Sequence, residues 1–507
     1  MLASTSRLAH LTGQAFSVET RSIVTRDGVE YAFAREANGN HLLVLAAAPS
    51  ALAAFEGSTG EYSGGHLLIG PAIPHNAAAL RTALPWLKPQ PLGLRTSAGL
   101  GDRLGLATPG HVRAVRATGS TVAPIFAQQS IREMTRTVQT PQQVMDAATW
   151  GMFAEGWQDR CGADADHLKT PEDIDVCAAA GFTFYTVDPG QYVNDQVETM
   201  SPTARRAAYE ALPWTRLEDT PGALEGRYLT RPFDYGTGRI TVEAPALYKT
   251  AVKYGGVVAH VVSMYRHLVG VMGDRPFELE ISVDETENPT TPIDHLYLAH
   301  ELHRLAVRWV SLAPRYIGRF EKGVDYIGDV VEFGKDFAVH AAIARTYGPY
   351  KLSLHSGSDK FSIYGVAAQH TRGLVHLKTA GTSYLEALRT VAAFEPGLFR
   401  EIYGFALEHY DADKVSYRVS AQLERAPKPG DVKDSDLPAV CDQFDARQAL
   451  HVTFGSVLNW RNEDDSFLFK DRLYTFLNNH PEGYAERLEA HFIRHLQPFA
   501  EHVHTAS

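Results

Sequence analysis

The stretch Cys161-Gly-Ala-Asp-Ala-Asp-His-Leu168 is followed by Thr170-Pro-Glu-Asp173, a helical pattern ending at Gly181, and Phe182-Thr-Phe-Tyr-Thr-Val-Asp188. It reads as strand, capped helix, strand. A threonine ahead of proline, with acids in the first turn, satisfies and complements the free N–H groups of a helix start. Two strands joined by such a helix form a parallel βαβ unit.

The same rhythm runs in both directions. Upstream lie Pro91–Arg95, with the loop Thr96–Gly105 and a helix around His111–Arg116, and Thr121–Phe126, with a helix opened by Thr140-Pro141. Downstream lie Phe277–Val283, Val307–Ala313, Tyr350–His355 and Leu374–Lys378. Eight strands alternating with helices predict an α/β fold, a (β/α)8 TIM-like barrel over residues 91–424. An insertion of about residues 190–245 follows the fourth strand, and Leu247–Val271 supplies the fourth helix. Residues 1–90 form a small N-terminal α+β layer. After the linker Arg425–Gly430, residues 431–507 form a mostly helical C-terminal extension. A doubly wound open sheet uses the same units and is the alternative.

The chain has 507 residues, 44% hydrophobic and 21% charged, which is ordinary for a folded globular protein. A formal charge of −11 argues against a general nucleic-acid partner, since phosphate binding needs a concentrated positive surface. Three cysteines cannot build a disulfide framework and are expected to be reduced. The first thirty residues lack a basic segment followed by an apolar core of signal-peptide length. The apolar stretch His41–Phe55 is broken by Pro49 and is too short to span a bilayer. These features predict a soluble cytoplasmic protein with no membrane partner. Gly99-Leu-Gly-Asp-Arg103 is not a full dinucleotide fingerprint, and there is no P-loop, Gly-x-Ser-x-Gly elbow or Cys-x-x-Cys pair. His300-Glu-Leu-His303 lacks zincin spacing and is read as decoration of a helix beginning near Pro292.

In such barrels reactive groups sit at the C-terminal ends of the strands. Alternation along Phe277-Glu-Leu-Glu-Ile-Ser-Val-Asp-Glu285 turns Glu278, Glu280, Ser282 and Asp284 inward. A carboxylate there must be paired, metal-bound or protonated. Glu278 lies deepest and suits a structural ion pair; Glu280 or Asp284 is a candidate acid, base or ligand. His355 and His376 fall on neighbouring strands, where two imidazoles can share one cation. His167 completes a three-histidine set, with Asp166 or Glu280 left to work on substrate. Asp164 is read as a helix cap and Asp188 as either an inward carboxylate or a turn former. Arg315, Arg319 and Lys360 are candidates for binding an anion.

Ser97-Ala-Gly-Leu-Gly-Asp-Arg-Leu-Gly-Leu-Ala-Thr-Pro-Gly-His111, Gly162–Lys169, Ser282-Val-Asp-Glu-Thr-Glu287 and Ser353-Leu-His-Ser-Gly-Ser-Asp-Lys-Phe361 resemble the tagaturonate epimerase family, from about residue 90 to beyond 400. The resemblance implies a metal-dependent interconversion of D-tagaturonate and D-fructuronate in galacturonate breakdown. Some relatives act on neutral ketohexoses. The two ketouronates differ at a hydroxyl-bearing carbon β to the ketone, whose C–H that carbonyl does not acidify, so a retro-aldol route is expected.

The strand argument then assigns His167, His355 and His376 as ligands of a divalent cation (zinc, manganese, nickel or iron), with Asp166 and Glu280 as the acid/base pair. Lys169, Arg319, Ser356, Lys360 and Lys378 are expected to bind the ketouronate or ketohexose substrate. A sugar aldolase or isomerase on the same barrel, and a sugar-acid binding protein without turnover, are the competing readings.

Overall fold

A computed structural model describes residues 7–11, 17–36, 39–379 and 381–502. Ala380, in the loop expected after the eighth strand, lies outside them. Eight parallel strands close into a barrel: β1 (Ser97–Leu100), β2 (Ala123–Ser130), β3 (Gly162–Leu168), β4 (Phe184–Val187), β5 (Glu278–Ser282), β6 (Ser311–Ala313), β7 (Lys351–Leu354) and β8 (Val375–Thr379). They are hydrogen-bonded in chain order, and β8 pairs with β1. The helices that follow them are α1 (Thr108–Ala117), α2 (Pro141–Ala154), α3 (Pro171–Ala180), α4 (Ala244–Met272), α5 (Pro292–Arg304), α6 (Val330–Tyr347), α7 (Phe361–Thr371) and α8 (Thr382–Phe394). The open-sheet alternative is excluded by the closure.

Local chemistry starts several of these helices in one way. Thr140, Thr170 and Thr291 each accept a bond from the backbone N–H three residues on, and the side chain at that third position bonds back. Each is followed by proline at the first helical position, where no N–H is needed.

The first strand differs from its expected position. It lies at Ser97–Leu100, inside the stretch read as a loop, whereas Pro91–Arg95 precedes the barrel. Gly93 there has φ +63° and donates its N–H to Glu278. The real strand, Ser-Ala-Gly-Leu, is buried on both faces and built from small residues, so it shows neither alternation nor β-branching. A Cβ at Gly99 would stand 3.0 Å from the Gln128 side chain, a tight contact in this buried layer. β2 also runs on beyond Phe126 to Ser130.

The N-terminal segment forms an antiparallel sheet around Val29–Glu36 and Gly39–Ala46, covered on both faces. Phe33 packs against Trp150 and Phe153 of α2, while Ala32, Ala34, Leu43 and Leu45 pack with Leu8 and Leu11. Between β4 and α4 lie two short helices, Pro202–Glu210 and Pro221–Tyr228, and a two-stranded hairpin. At the other end, the helix Pro481–Ala500 packs along α1, α7 and α8. Gly110 permits that approach, since a Cβ would lie 2.4 Å from Leu488 Cβ. All three cysteines are buried and unpaired. No helix among the described residues is long and apolar enough to cross a membrane.

His111, beside Gly110, is fully buried, bonded through Nε2 to Ser383 Oγ at 2.9 Å and packed on Phe492. Burial, helped by His491, lowers its pKa to about 3. An unfolded histidine takes its proton near 6.5. The stability this neutral ring supports is therefore intact above pH 6.5 and declines as pH falls from there toward 3, by about 1.4 kcal/mol per unit. Chemical denaturation of His111→Gln should show a shallower loss of stability between pH 7 and 5 than the parent; equal slopes would show that the ring is not held neutral.

Candidate active site

The barrel interior is polar, and its side chains fall into layers because inward positions recur every second residue. The floor holds Glu278, Lys351, His376 and Ser97. Lys351 Nζ donates to Ser97 Oγ at 2.9 Å, and His376 Nδ1 lies 2.9 Å from the same hydroxyl. Burial raises the Glu278 carboxyl, with Lys351 opposing, and brings His376 down to about 3.

One step higher, the Lys378 ammonium sits among Asp164 Oδ2 (2.9 Å), Asp166 Oδ1 (2.6 Å), Glu280 Oε1 (2.8 Å) and Thr186 Oγ1. The lysine and all three acids are almost fully buried. Their titration follows from that geometry. Burial pushes Asp164 up to about 7, against the pull of Lys378 and with help from its acidic neighbours. Burial also opposes ionisation of Asp166 and Glu280, but His167 and Lys378 for the first, and Lys378 and His355 for the second, outweigh it and hold both well below the usual carboxylate range.

The mouth carries the two histidines. His355 Nε2 lies 2.6 Å from Glu280 Oε1, and His167 Nδ1 lies 2.7 Å from Asp166 Oδ1. Their other nitrogens face one carboxylate: Asp284 Oδ1 is 3.2 Å from His355 Nδ1 and 3.7 Å from His167 Nε2. Asp166, His167 and His355 bring one ligand atom each within 4.8 Å of one another. Adjacent strand residues normally face opposite ways, yet Asp166 and His167 both serve this site. The reason is a register shift in β3, where Tyr185 pairs with Ala165 but Val187 with Leu168, and His167 adopts φ +54°. A bulge re-aims the histidine.

These donors fit a divalent cation. Two imidazoles and carboxylate oxygens suit zinc, manganese, nickel or iron, and each imidazole has a carboxylate to orient it from its far side. The local charge calls for a cation as well. Burial opposes protonation of both rings, but Asp166 outweighs it for His167, and Asp284 and Glu280 do so for His355. A metal ion would take the place of those protons.

Several expected residues stand elsewhere. His376 is not with the other histidines: it pairs with Ser353, two residues below His355, and Lys378 stands between it and the mouth. Lys360 is not exposed to the cleft; its buried ammonium donates to the carbonyls of Glu321, Val324 and Ser358, and burial lowers it to about 7. The Lys378 donors are all engaged within the barrel. Lys169 reaches Asp188 at 3.3 Å from a half-exposed position, and Asp188 also accepts the Gly190 N–H, as a turn former does. Asp164 is not a helix cap: Thr170 and Asp173 cap α3, and Asp164 lies inside the barrel. Glu301, between the two helix histidines, binds Arg227, Arg304 and Tyr228.

Arg319 and Ser356 do line the cleft above the site, a cavity of about 590 Å³. Several contributors had not been expected, among them Gln128, Lys322 and the segment Val415–Ser420. Gln128 donates to Asp166 Oδ2 at 3.1 Å; the strand reading that stopped at Phe126 ended two residues short of it, and a register shift between Ile125 and Ala127 sets its facing. Lys322 lies in the loop after β6. The segment Val415–Ser420 crosses the mouth as one wall, with Arg418 bonded to the carbonyls of Glu285 and Thr286.

Comparison with known proteins agrees with this architecture over nearly the whole chain. Residues 20–499 match the family model described as tagaturonate epimerase. The chain is 41% identical over 485 residues to the tagaturonate/fructuronate epimerase of Thermotoga maritima, covering 96% of this chain and 97% of that one. The crystal structure of the fructuronate-tagaturonate epimerase from Cohnella laeviribosi superposes with a TM-score of 0.91 in its native form, at 37% identity and covering 98% of each chain. Its complex with one glycerol gives the same TM-score at 36% identity, again over 98% of each. The chain belongs to the tagaturonate epimerase family, a group of carbohydrate isomerases.

Proposed function

We propose that this protein is a divalent-metal-dependent epimerase that interconverts D-tagaturonate and D-fructuronate by retro-aldol chemistry. The observation that carries the reading is the convergence of His167, His355, Asp166 and Asp284 at the barrel mouth, directly above the ionised Glu280. His167 and His355, with Asp166 or Asp284, would hold the ion. Bound there, it would supply Lewis-acid stabilisation of the negative charge that develops on the substrate.

Inversion at C4 cannot proceed by simple removal of the C4 proton, which the C2 ketone does not acidify. Glu280 is the base in this reading. Its Oε1 serves His355 and Lys378, while its Oε2 is buried with no hydrogen-bond partner among the described residues. It takes the proton of the C4 hydroxyl. The C4 oxygen becomes an aldehyde as the C3–C4 bond breaks, and the bonding pair passes to C3 to form an enediolate with C2. The aldehyde fragment turns, the enediolate adds to its other face, and Glu280 returns the proton to the C4 oxygen. One group thus serves both directions. Asp166 leaves the acid/base pair assigned from the strand pattern, because in this reading its carboxylate, bonded to His167, Lys378 and Gln128, is given to holding the ion or orienting His167.

Lys378 keeps Glu280 ionised for its part as base. Thr186, which contacts both Asp164 and Glu280, fixes the carboxylates' relative positions.

NMR of metal-loaded protein with D-tagaturonate in D2O should show fructuronate with protium retained at C4, and a chelated sample should show none. Deuterium at C4 would exclude the retro-aldol route, and turnover surviving complete metal removal would exclude the cofactor. Conversion of D-tagatose but not D-tagaturonate would reassign the substrate to neutral ketohexoses. Among variants, His355→Ala should lose bound metal by elemental analysis together with activity. Glu280→Gln should keep its metal but lose roughly 100- to 10,000-fold in kcat, the usual worth of a positioned acid or base. Full kcat in that variant would remove Glu280 from the mechanism.

A further inference from the structure

The cleft above the mouth is locally positive in a chain whose formal charge is −11. Five cations line it: Arg132, Arg315, Arg319, Lys322 and Arg418. Four of them have partners that hold the wall together. Arg132 pairs with Glu285 at 3.1 Å and Arg319 with Glu321 at 3.4 Å. Arg418 binds the carbonyls of Glu285 and Thr286, and Arg315 binds that of Tyr316. Lys322 differs. Its Nζ donates at 2.7 Å to a neutral hydroxyl, Ser356 Oγ, and no carboxylate among the described residues lies within ion-pair distance of it.

Its placement is held firmly. Lys360 donates to the carbonyls of Glu321 and Val324, on either side of the Lys322 loop, and to that of Ser358 in the loop after β7. Gln448 from the C-terminal extension binds Glu321 and the Lys322 carbonyl. Ser356 follows His355 directly in the chain, their Cα atoms ~3.8 Å apart, so an anion seated on Lys322 and Ser356 is held beside the residue next to the ligand histidine. Its hydroxyl accepts from the ammonium and keeps its own proton free to donate.

We propose that Lys322, together with the Ser356 hydroxyl, holds the substrate carboxylate and so selects a ketouronate over the corresponding neutral ketose. This rests on the ketouronate reading given above. An unpaired ammonium beside a donor hydroxyl matches the C6 carboxylate, two carbons beyond the inverted centre. A CH2OH group in its place would leave the charge without a counterion. Burial, with Arg132 nearby, draws the Lys322 ammonium below its ordinary value, and an arriving carboxylate relieves that cost.

The test is steady-state kinetics of metal-loaded parent, Lys322→Met and Lys322→Arg on D-tagaturonate and D-tagatose. Thermal melts and metal content are measured alongside to confirm the fold and the metal site. Lys322→Met should raise KM for tagaturonate far more than it lowers kcat. It should also cut the tagaturonate-to-tagatose ratio of kcat/KM by roughly 10- to 100-fold, as expected for loss of a charge-assisted bond. Lys322→Arg should restore much of the ratio. A parent enzyme that turns over tagaturonate, with an unchanged ratio in a folded, metal-loaded Lys322→Met, overturns the proposal alone. A parent that ignores tagaturonate overturns the substrate reading and this proposal with it.

Discussion

The Lys378 ammonium is buried among Asp164, Asp166 and Glu280, and the rest of the site depends on that cluster. Three carboxylates inside a barrel would be prohibitively costly without compensation. One lysine offsets part of that cost, leaving Asp166 and Glu280 ionised while Asp164 rises to about 7. The two ionised carboxylates then reach upward and orient His167 and His355. The geometry at the mouth is set from below, by charge balance in the barrel interior.

That dependence explains the division of labour among acids that look alike in the sequence. Asp164, Asp166, Glu280 and Asp284 all face the barrel axis or its mouth, yet each meets a different mixture of burial and positive charge. Asp284 alone is partly open to the cleft, and both imidazoles draw it well below its ordinary value against the effect of burial. Glu280 is held well below its ordinary value and keeps a buried oxygen that has no hydrogen-bond partner among the described residues. Their separate roles follow from these surroundings.

The C-terminal extension is part of the same device. Its last helix braces α1, α7 and α8, where His111, His491 and His495 are packed as neutral rings. Asp359, one turn of loop beyond His355, is tied to this region by Arg447 at 2.7 Å and by a bond from its N–H to His495. The preceding segment walls the cleft through Val415–Ser420. The loops after β6 and β7 are thereby fixed from outside the barrel, and two separate parts of the chain build its mouth.

The amino-acid sequence by itself determined the barrel and much of its mouth. Threonine–proline caps, apolar alternation and strand-ending acids are local signals, readable because they repeat at the period of the element they build. Glu280, His355 and Asp284 were legible for that reason, since strand alternation alone turns them inward. What only the tertiary structure decided are matters of depth and register. β1 escaped because a strand of small residues buried on both faces has no pattern. His376 was misplaced because alternation gives a side chain's face but not its height, which the pairing of Ser353 with His376 sets. His167 reaches the site through a bulge, which arises from the pairing of two strands. Lys360, Lys378 and Lys322 are indistinguishable as letters. Whether an ammonium caps carbonyls, balances buried acids or faces an open cleft depends on residues distant in the chain, and only folding brings those together.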